Sequence, residues 1–220
     1  MRSIPSSITL ADAKSTSDRL DRMGNPHVAA DRGLQLGRHL ERQGMGARQE
    51  ARIRLRAMEP GDADDLWRWN HDPDVMRWMN DGYGSSLAQT RRRMESREPN
   101  SYRDVLFGVE VVADRKLIGI VRLRDAEPEL GCAELDIYLG EKSYWGQGYA
   151  TEAMRAMCRY GFDKMRLHRI FLSVVAENHA ARHVYEKVGF VEEGRLREAF
   201  RRDGTWYDMV VMGLLEGELR

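Results

Sequence analysis

Leu139-Gly140-Glu141-Lys142-Ser143-Tyr144-Trp145-Gly146-Gln147-Gly148-Tyr149-Ala150-Thr151-Glu152 runs from the end of an apolar strand into the start of a helix through closely spaced glycines. A turn of this kind aims several backbone N–H groups at one point, and the helix start adds about half a positive charge there. A side chain at Gly146 or Gly148 would hold an anion away from those amides, so glycine suits both positions. Taken alone, the Gly-x-Gly spacing fits either an anion cradle or a tight strand-to-helix connection. Two familiar phosphate loops are excluded. A Walker loop ends in Gly-Lys-Ser/Thr, whereas Gly148 is followed by Tyr149-Ala150-Thr151, and the dinucleotide fingerprint lacks its third glycine.

The residues on either side of this stretch alternate between strand and helix patterns. Upstream, Val105 to Val112 and Leu117 to Leu123 read as paired strands around a turn near Asp114-Arg115, followed by a third strand over Cys132 to Leu139. Downstream, Met154, Met157, Cys158, Gly161, Phe162 and Met165 fall at steps of three and four and draw one apolar helical stripe. Ile170 to Val175 is a nearly continuous apolar run, the pattern of a strand buried on both faces. From Asn178 to Val188 a second helix places Ala181, Val184, Tyr185 and Val188 on one stripe, and Gly189 supplies a left-handed stop. Strand, helix, strand, helix implies parallel pairing. A hairpin turning at Asp203-Gly204 joins Glu198-Ala199-Phe200 to Trp206 through Leu215.

On the N-terminal side, Arg52 to Met58 alternates like a half-buried strand. Pro60-Gly61-Asp62 opens a helix through Leu66, Trp67 and Trp69, and Asp72-Pro73-Asp74 starts another short one carrying Val75, Met76, Trp78 and Met79. A turn over Asp81 to Gly84 then leads to Ser85 or Ser86 as the cap of a charged helix through Met94 that ends before Pro99. Residues 1–51 are poor in β-branched and aromatic residues and read as an extension, loosely docked or flexible. Within it, Val28 to Gln43 carries a weak helical pattern interrupted by glycines. The main domain is expected over residues 52–217.

Composition narrows the function classes. The 220 residues carry 35 Lys+Arg and 35 Asp+Glu, so no basic field exists to gather nucleic acid or an anionic membrane. Cys132 and Cys158 form no CxxC or metal-ligand pattern, which fits a reducing cytoplasmic setting. No apolar run reaches bilayer length and no signal-peptide pattern opens the chain. Among the histidines, the His179/His183 pair lacks the glutamate and third ligand of a zinc site, and no metal is assigned. The methionine stripe and Cys158 read as core, and Arg91-Arg92-Arg93 as a solvated helix face or a contact for a nucleotide phosphate.

Three ordered segments, Ala133 to Leu139, Tyr144 to Ala153 and Glu177 to Phe190, together resemble the GNAT superfamily of N-acetyltransferases, and within it the branch of ribosomal-protein N-terminal and spermidine acetyltransferases. The resemblance covers about Arg52 to Leu215. It departs at Ser143, where the family usually has Gln or Arg three residues before the first glycine. It implies an α/β (α+β) fold with a mixed sheet of about seven strands, splayed between two parallel strands and flanked by about four helices. It also implies acetyl-CoA as co-substrate and a primary amine as acceptor. The pyrophosphate would lie on Trp145, Gly146, Gln147, Gly148, Tyr149 and Ala150. The pantetheine arm would lie along Ile137, Tyr138 and Leu139, where a backbone N–H could also steady the oxygen of the reacting carbonyl.

The same resemblance makes Glu134 the base and Tyr185 the acid that protonates the leaving thiolate, with Asn178 lining the cofactor arm. A base is needed because an ordinary alkyl amine, with a pKa of about 10.4, is mostly protonated near neutrality. On pattern alone Glu134 is also consistent with a solvated strand face shared with Asp136, or with a pair to a cation such as Arg122. By the same standard Asn178 is equally a helix cap and Tyr185 a core aromatic. Apolar residues between Trp206 and Leu215 suggest a homodimer. A non-catalytic acyl-CoA sensor or scaffold is the reading from another class.

Overall fold

The computed structural model describes residues 51–79 and 84–220. The N-terminal extension, the weak helical pattern over 28–43 and most of the turn expected over 81–84 lie outside the described residues. Seven strands form one mixed sheet: β1 (Ile53–Ala57), β2 (Asp104–Val111), β3 (Lys116–Glu127), β4 (Cys132–Leu139), β5 (Arg169–Val175), β6 (Val191–Arg202) and β7 (Thr205–Leu215), in the order β1-β2-β3-β4-β5-β7-β6. Among the described residues four α-helices accompany them: α1 (Ala63–Asn70), α2 (Leu87–Glu95), α3 (Tyr149–Asp163) and α4 (His179–Val188).

β2 with β3, β3 with β4 and β6 with β7 pair antiparallel through short connections, and β1 pairs antiparallel with β2 across the segment that holds α1 and α2. β4 and β5 are joined through α3 and pair parallel, as a helical crossover requires. That parallel contact is short. It consists of Cys132↔Arg169, Ala133↔Ile170 and Glu134↔Phe171. Beyond it β4 continues with β3 as far as Leu139↔Gly119, while β5 continues with β7 as far as Val175↔Met209. The sheet therefore forks between β4 and β5.

The expected methionine stripe is the core of one face. Met154, Met157, Cys158, Phe162 and Met165 of α3 and its C-terminal turn are buried against Ile118, Val121, Leu123, Leu135, Ile170 and Met212. Burial pushes the Cys158 thiol up to about 12, so it stays protonated and inert. A second cluster of Leu66, Trp69, Val75 and Leu117, with Tyr138 packed against it, holds α1 to the sheet. Ser86 rather than Ser85 caps α2: its hydroxyl accepts from the Gln89 amide at 3.2 Å, and the Gln89 side chain accepts from the Ser86 amide at 2.8 Å.

One expectation needs correction, and two gain detail. The helix expected after Asp72 is a run of turns. Pro73 brings no N–H, Asp72 Oδ1 accepts the Asp74 amide at 3.0 Å, and the Arg202 guanidinium takes the carbonyls of Met76 and Met79. Before α1, Pro60–Asp62 form a 3-10 turn. β3 and β6 are both longer than the apolar pattern implies, because charged residues extend each along solvent-facing rungs. At the β6–β7 turn, Asp203 and Gly204 both have positive φ, 49° and 79°, as a tight two-residue hairpin needs.

Candidate active site

The glycine loop lies between the end of β4 and the start of α3. Gly146 and Gly148 have φ of 72° and 86°, left-handed values that explain glycine at both positions. A Cβ placed on Gly146 would meet nothing within 4 Å, so that side of the turn is open to an approaching group. The first helical bond of α3 runs from the Glu152 amide to Gly148 O at 3.1 Å. No amide from Gly146 to Thr151 donates a hydrogen bond among the described residues. These donors and the helix start suit a phosphate group, the donor set that the pyrophosphate of CoA requires.

Side chains hold the loop in this shape. Trp145 folds back so that Nε1 donates to Leu139 O at 2.9 Å, and Gln147 Nε2 donates to Ser143 O at 2.6 Å. Ser143 thus serves through its backbone. Arg52 was not singled out by the sequence, yet it braces the loop from just before β1: Nη2 donates to Gln147 O at 3.0 Å, Nε binds Glu152 at 2.7 Å, and the guanidinium lies 4.5 Å from the Tyr149 ring centre. Its place in a strand alternation gave no sign of a partner almost a hundred residues away. Glu141 was missed for the same reason. Its buried carboxylate accepts from Arg68, from Trp69 Nε1 at 2.9 Å and from Lys116 at 3.1 Å. Burial alone would raise its pKa, but these donors bring it down to about 2. Gly140 beside it has no room for a side chain, since a Cβ would stand 2.0 Å from the Trp69 ring.

Below the loop the parallel rungs end at Glu134, so the β4 segment through Ile137, Tyr138 and Leu139 has no strand on the β5 side; Ile137 and Leu139 turn their backbone groups that way, while the Tyr138 backbone faces Ile120 of β3. Tyr138 points to the α1 face, where its hydroxyl donates to Asn70 Oδ1 at 3.0 Å and its ring meets Trp69 edge-on. Glu134 sits on the last parallel rung. Its cationic partner is Arg124, at 2.8 Å, rather than Arg122, which binds Asp104 at 2.5 Å. Burial raises the Glu134 pKa, Arg124 opposes that rise, and Asp136 and Asp125 add to it.

Across the fork, Asn178 caps α4, its side-chain oxygen accepting from the Ala181 amide at 3.2 Å. Tyr185 is half-buried, tilted against Phe190 with ring centres 6.2 Å apart. Burial, and after it the charge of Asp136, pushes its phenol up, so the hydroxyl keeps its proton at neutral pH. The open β4 backbone thus leads from Glu134 at the closed end of the fork, while Asn178 opens the helix that follows β5 and Tyr185 lies within the field of Asp136 of β4.

A fork of this kind beside an amide-rich loop fits an acyltransferase, and residues 52–191 match the Acetyltransferase (GNAT) domain. The chain belongs to the GNAT acetyltransferase family, and its relatives carry N-acetyltransferase names. The spermidine N(1)-acetyltransferase of Vibrio cholerae is 31% identical over 169 residues, covering 76% of this chain and 95% of that protein. YdaF of Bacillus subtilis, provisionally named a ribosomal N-acetyltransferase, is 30% identical over 173 residues, 76% of this chain and 92% of its own. Among solved structures, the Vibrio cholerae spermidine N-acetyltransferase in complex with CoA and spermine superposes with a TM-score of 0.67 at 29% identity, covering 76% of this chain and 97% of that one.

Proposed function

We propose that residues 52–217 transfer the acetyl group of acetyl-CoA to a primary amine by direct attack within a ternary complex. The observation that carries this reading is the fork itself, with β4 backbone that lacks a β5 partner leading from Glu134 to a loop whose amides from Gly146 to Thr151 have no acceptor among the described residues. Trp145, Gly146, Gln147, Gly148, Tyr149 and Ala150 would hold the pyrophosphate, and Ile137, Tyr138 and Leu139 would pair with the pantetheine amides. Asn178 keeps its capping role and offers its NH2 group to the cofactor arm. Glu134 receives the amine's proton, through water where it cannot touch the nitrogen. The amine lone pair then forms the N–C bond while the C–S bond breaks. Tyr185 gives its proton to the departing thiolate and regains one, through water, from the nitrogen, which sheds its second proton as the amide forms.

A small amine or a peptide N-terminus is the acceptor class, on the similarity to spermidine and ribosomal acetyltransferases. Incubation of the full chain with acetyl-CoA and a panel of spermidine, spermine, amino sugars and peptides, followed by free thiol, tests the reaction. Acceptor-dependent thiol release is the expected outcome. Tight acetyl-CoA binding by calorimetry with no thiol released from any of these acceptors would instead make the protein a sensor.

A further inference from the structure

Across the β3–β4 ladder, Arg124 stands opposite Glu134 and Arg122 opposite Asp136. Simple cross-strand pairing would give each carboxylate its own arginine. Instead, Arg122 turns to β2 and binds Asp104, which Arg97 also approaches at 3.3 Å. Arg124 is left to serve both acids of β4. Its Nη2 reaches Glu134 at 2.8 Å, Nε reaches Asp136 at 2.6 Å, and Nη1 reaches Asp125 at 2.8 Å. One guanidinium thus meets three carboxylates.

The two β4 acids differ in position. Glu134 lies on the last rung shared with β5, and Asp136 is the next residue on the same face, beyond the point where the fork opens. Their side chains are 20% and 40% exposed. A carboxyl group withdrawn from water beside two like charges tends to keep its proton, and a protonated acid accepts none from an amine. Arg124 is the opposing charge on Glu134 from β3, while Asp125 and Asp136 push the other way. From α4, the field of Asp136 reaches the neutral Tyr185 phenol.

We propose that Arg124 is a positioning residue of the proton-accepting site: gripping Glu134 at the closed end of the fork and Asp136 at its open end, it fixes both carboxylates and keeps Glu134 able to take a proton. This rests on reading Glu134 as the base. The grip is tested in the full-length protein by carboxyl carbon NMR titration, with the Glu134 resonance assigned by its loss in Glu134→Gln. Arg124→Gln should move the Glu134 midpoint to higher pH, and Asp136→Asn should move it to lower pH. Arg124→Lys, which keeps the charge without the fork-shaped donor set, should fall between wild type and Arg124→Gln. A Glu134 midpoint unchanged in Arg124→Gln, or in Arg124→Lys and Asp136→Asn should the glutamine variant not fold, overturns the proposal. The base reading fails separately: a Glu134→Gln enzyme whose thiol release keeps the wild-type pH profile would refute it without touching the titration. If both hold, the acidic limb of kcat/KM in Arg124→Gln follows the titration upward, so turnover falls several-fold more at about pH 6 than at about pH 9.

Discussion

Tyr185 and Glu134 carry different burdens at neutral pH. The Tyr185 phenol is raised by burial and by Asp136, so it is protonated throughout the working range and ready to act as an acid. Tyr185→Phe keeps the ring against Phe190 and removes only the hydroxyl, so kcat is expected to fall by about a hundredfold with folding intact, as measured by stopped thiol release and thermal melting. The Glu134 carboxyl is raised above its ordinary value by burial. A raised acid contributes stability below its unfolded pKa and loses that contribution as pH rises through its folded pKa, so ionised Glu134 burdens the fold at neutral pH. Glu134→Gln should therefore lose turnover while melting no lower than wild type at about pH 7.5, a split between activity and stability that differential scanning would reveal.

At the scale of elements, the glycine loop depends on the strand, turn and helix around it. Glu141 ties the loop entrance to α1 through Arg68 and Trp69 and to β3 through Lys116. Its folded pKa of about 2, against an ordinary 4.5, means its stabilisation is present above about pH 4.5 and lost as pH falls toward 2. That difference corresponds to about 3 kcal/mol. Glu141→Gln should cost stability of that order at neutral pH, flatten the acid-unfolding curve over that window, and raise the KM for acetyl-CoA by loosening the loop. A second change addresses the loop directly. Gly148→Ala forces a side chain into a φ of 86°, against an Arg52 nitrogen 3.3 Å away, and should weaken CoA binding in calorimetry by about tenfold.

Such elements were unevenly legible in the sequence. The period-three-and-four stripe of α3, the apolar run of β5 and the Asp203-Gly204 turn are local signals, and each formed where the pattern places it. Glu141 and Arg52 act on partners 73 and 100 residues away, and no local pattern records such distances. Glu134 stands out only through family likeness; the alternative reading pairs it with a cation such as Arg122, but the cation beside it is Arg124, because the β3–β4 register that sets Arg124 opposite Glu134 is not written in either strand alone. The turns after Asp72 failed as a helix because a tertiary partner, Arg202, claims their carbonyls.

For the whole molecule, the sheet ends at β1 on one side and at β6 on the other. Apart from Phe200, β6 is largely exposed, and Val191, Leu196 and Trp206 are large apolar side chains in solvent on the β6–β7 hairpin. Exposed edges of this sort invite a partner, and a second copy of the chain is the occupant we propose here. Sedimentation should show a dimer in the wild type and a monomer in the Leu196→Glu, Trp206→Glu double variant, with the melting point of the monomer little changed. A monomeric wild type at about 50 μM would remove the proposal, since stable dimers form well below that concentration.

The short parallel contact between β4 and β5 has one more consequence. Between Leu135 and Leu139, backbone amides that point away from β3 have no strand to shield them, whereas their alternates are locked to β3. In deuterated water the free protein should label β4 in a two-speed pattern, every second amide fast. Acetyl-CoA lying along the fork would slow the fast set alone, so a mass spectrum of one peptide from β4 reports cofactor occupancy without any acceptor being present.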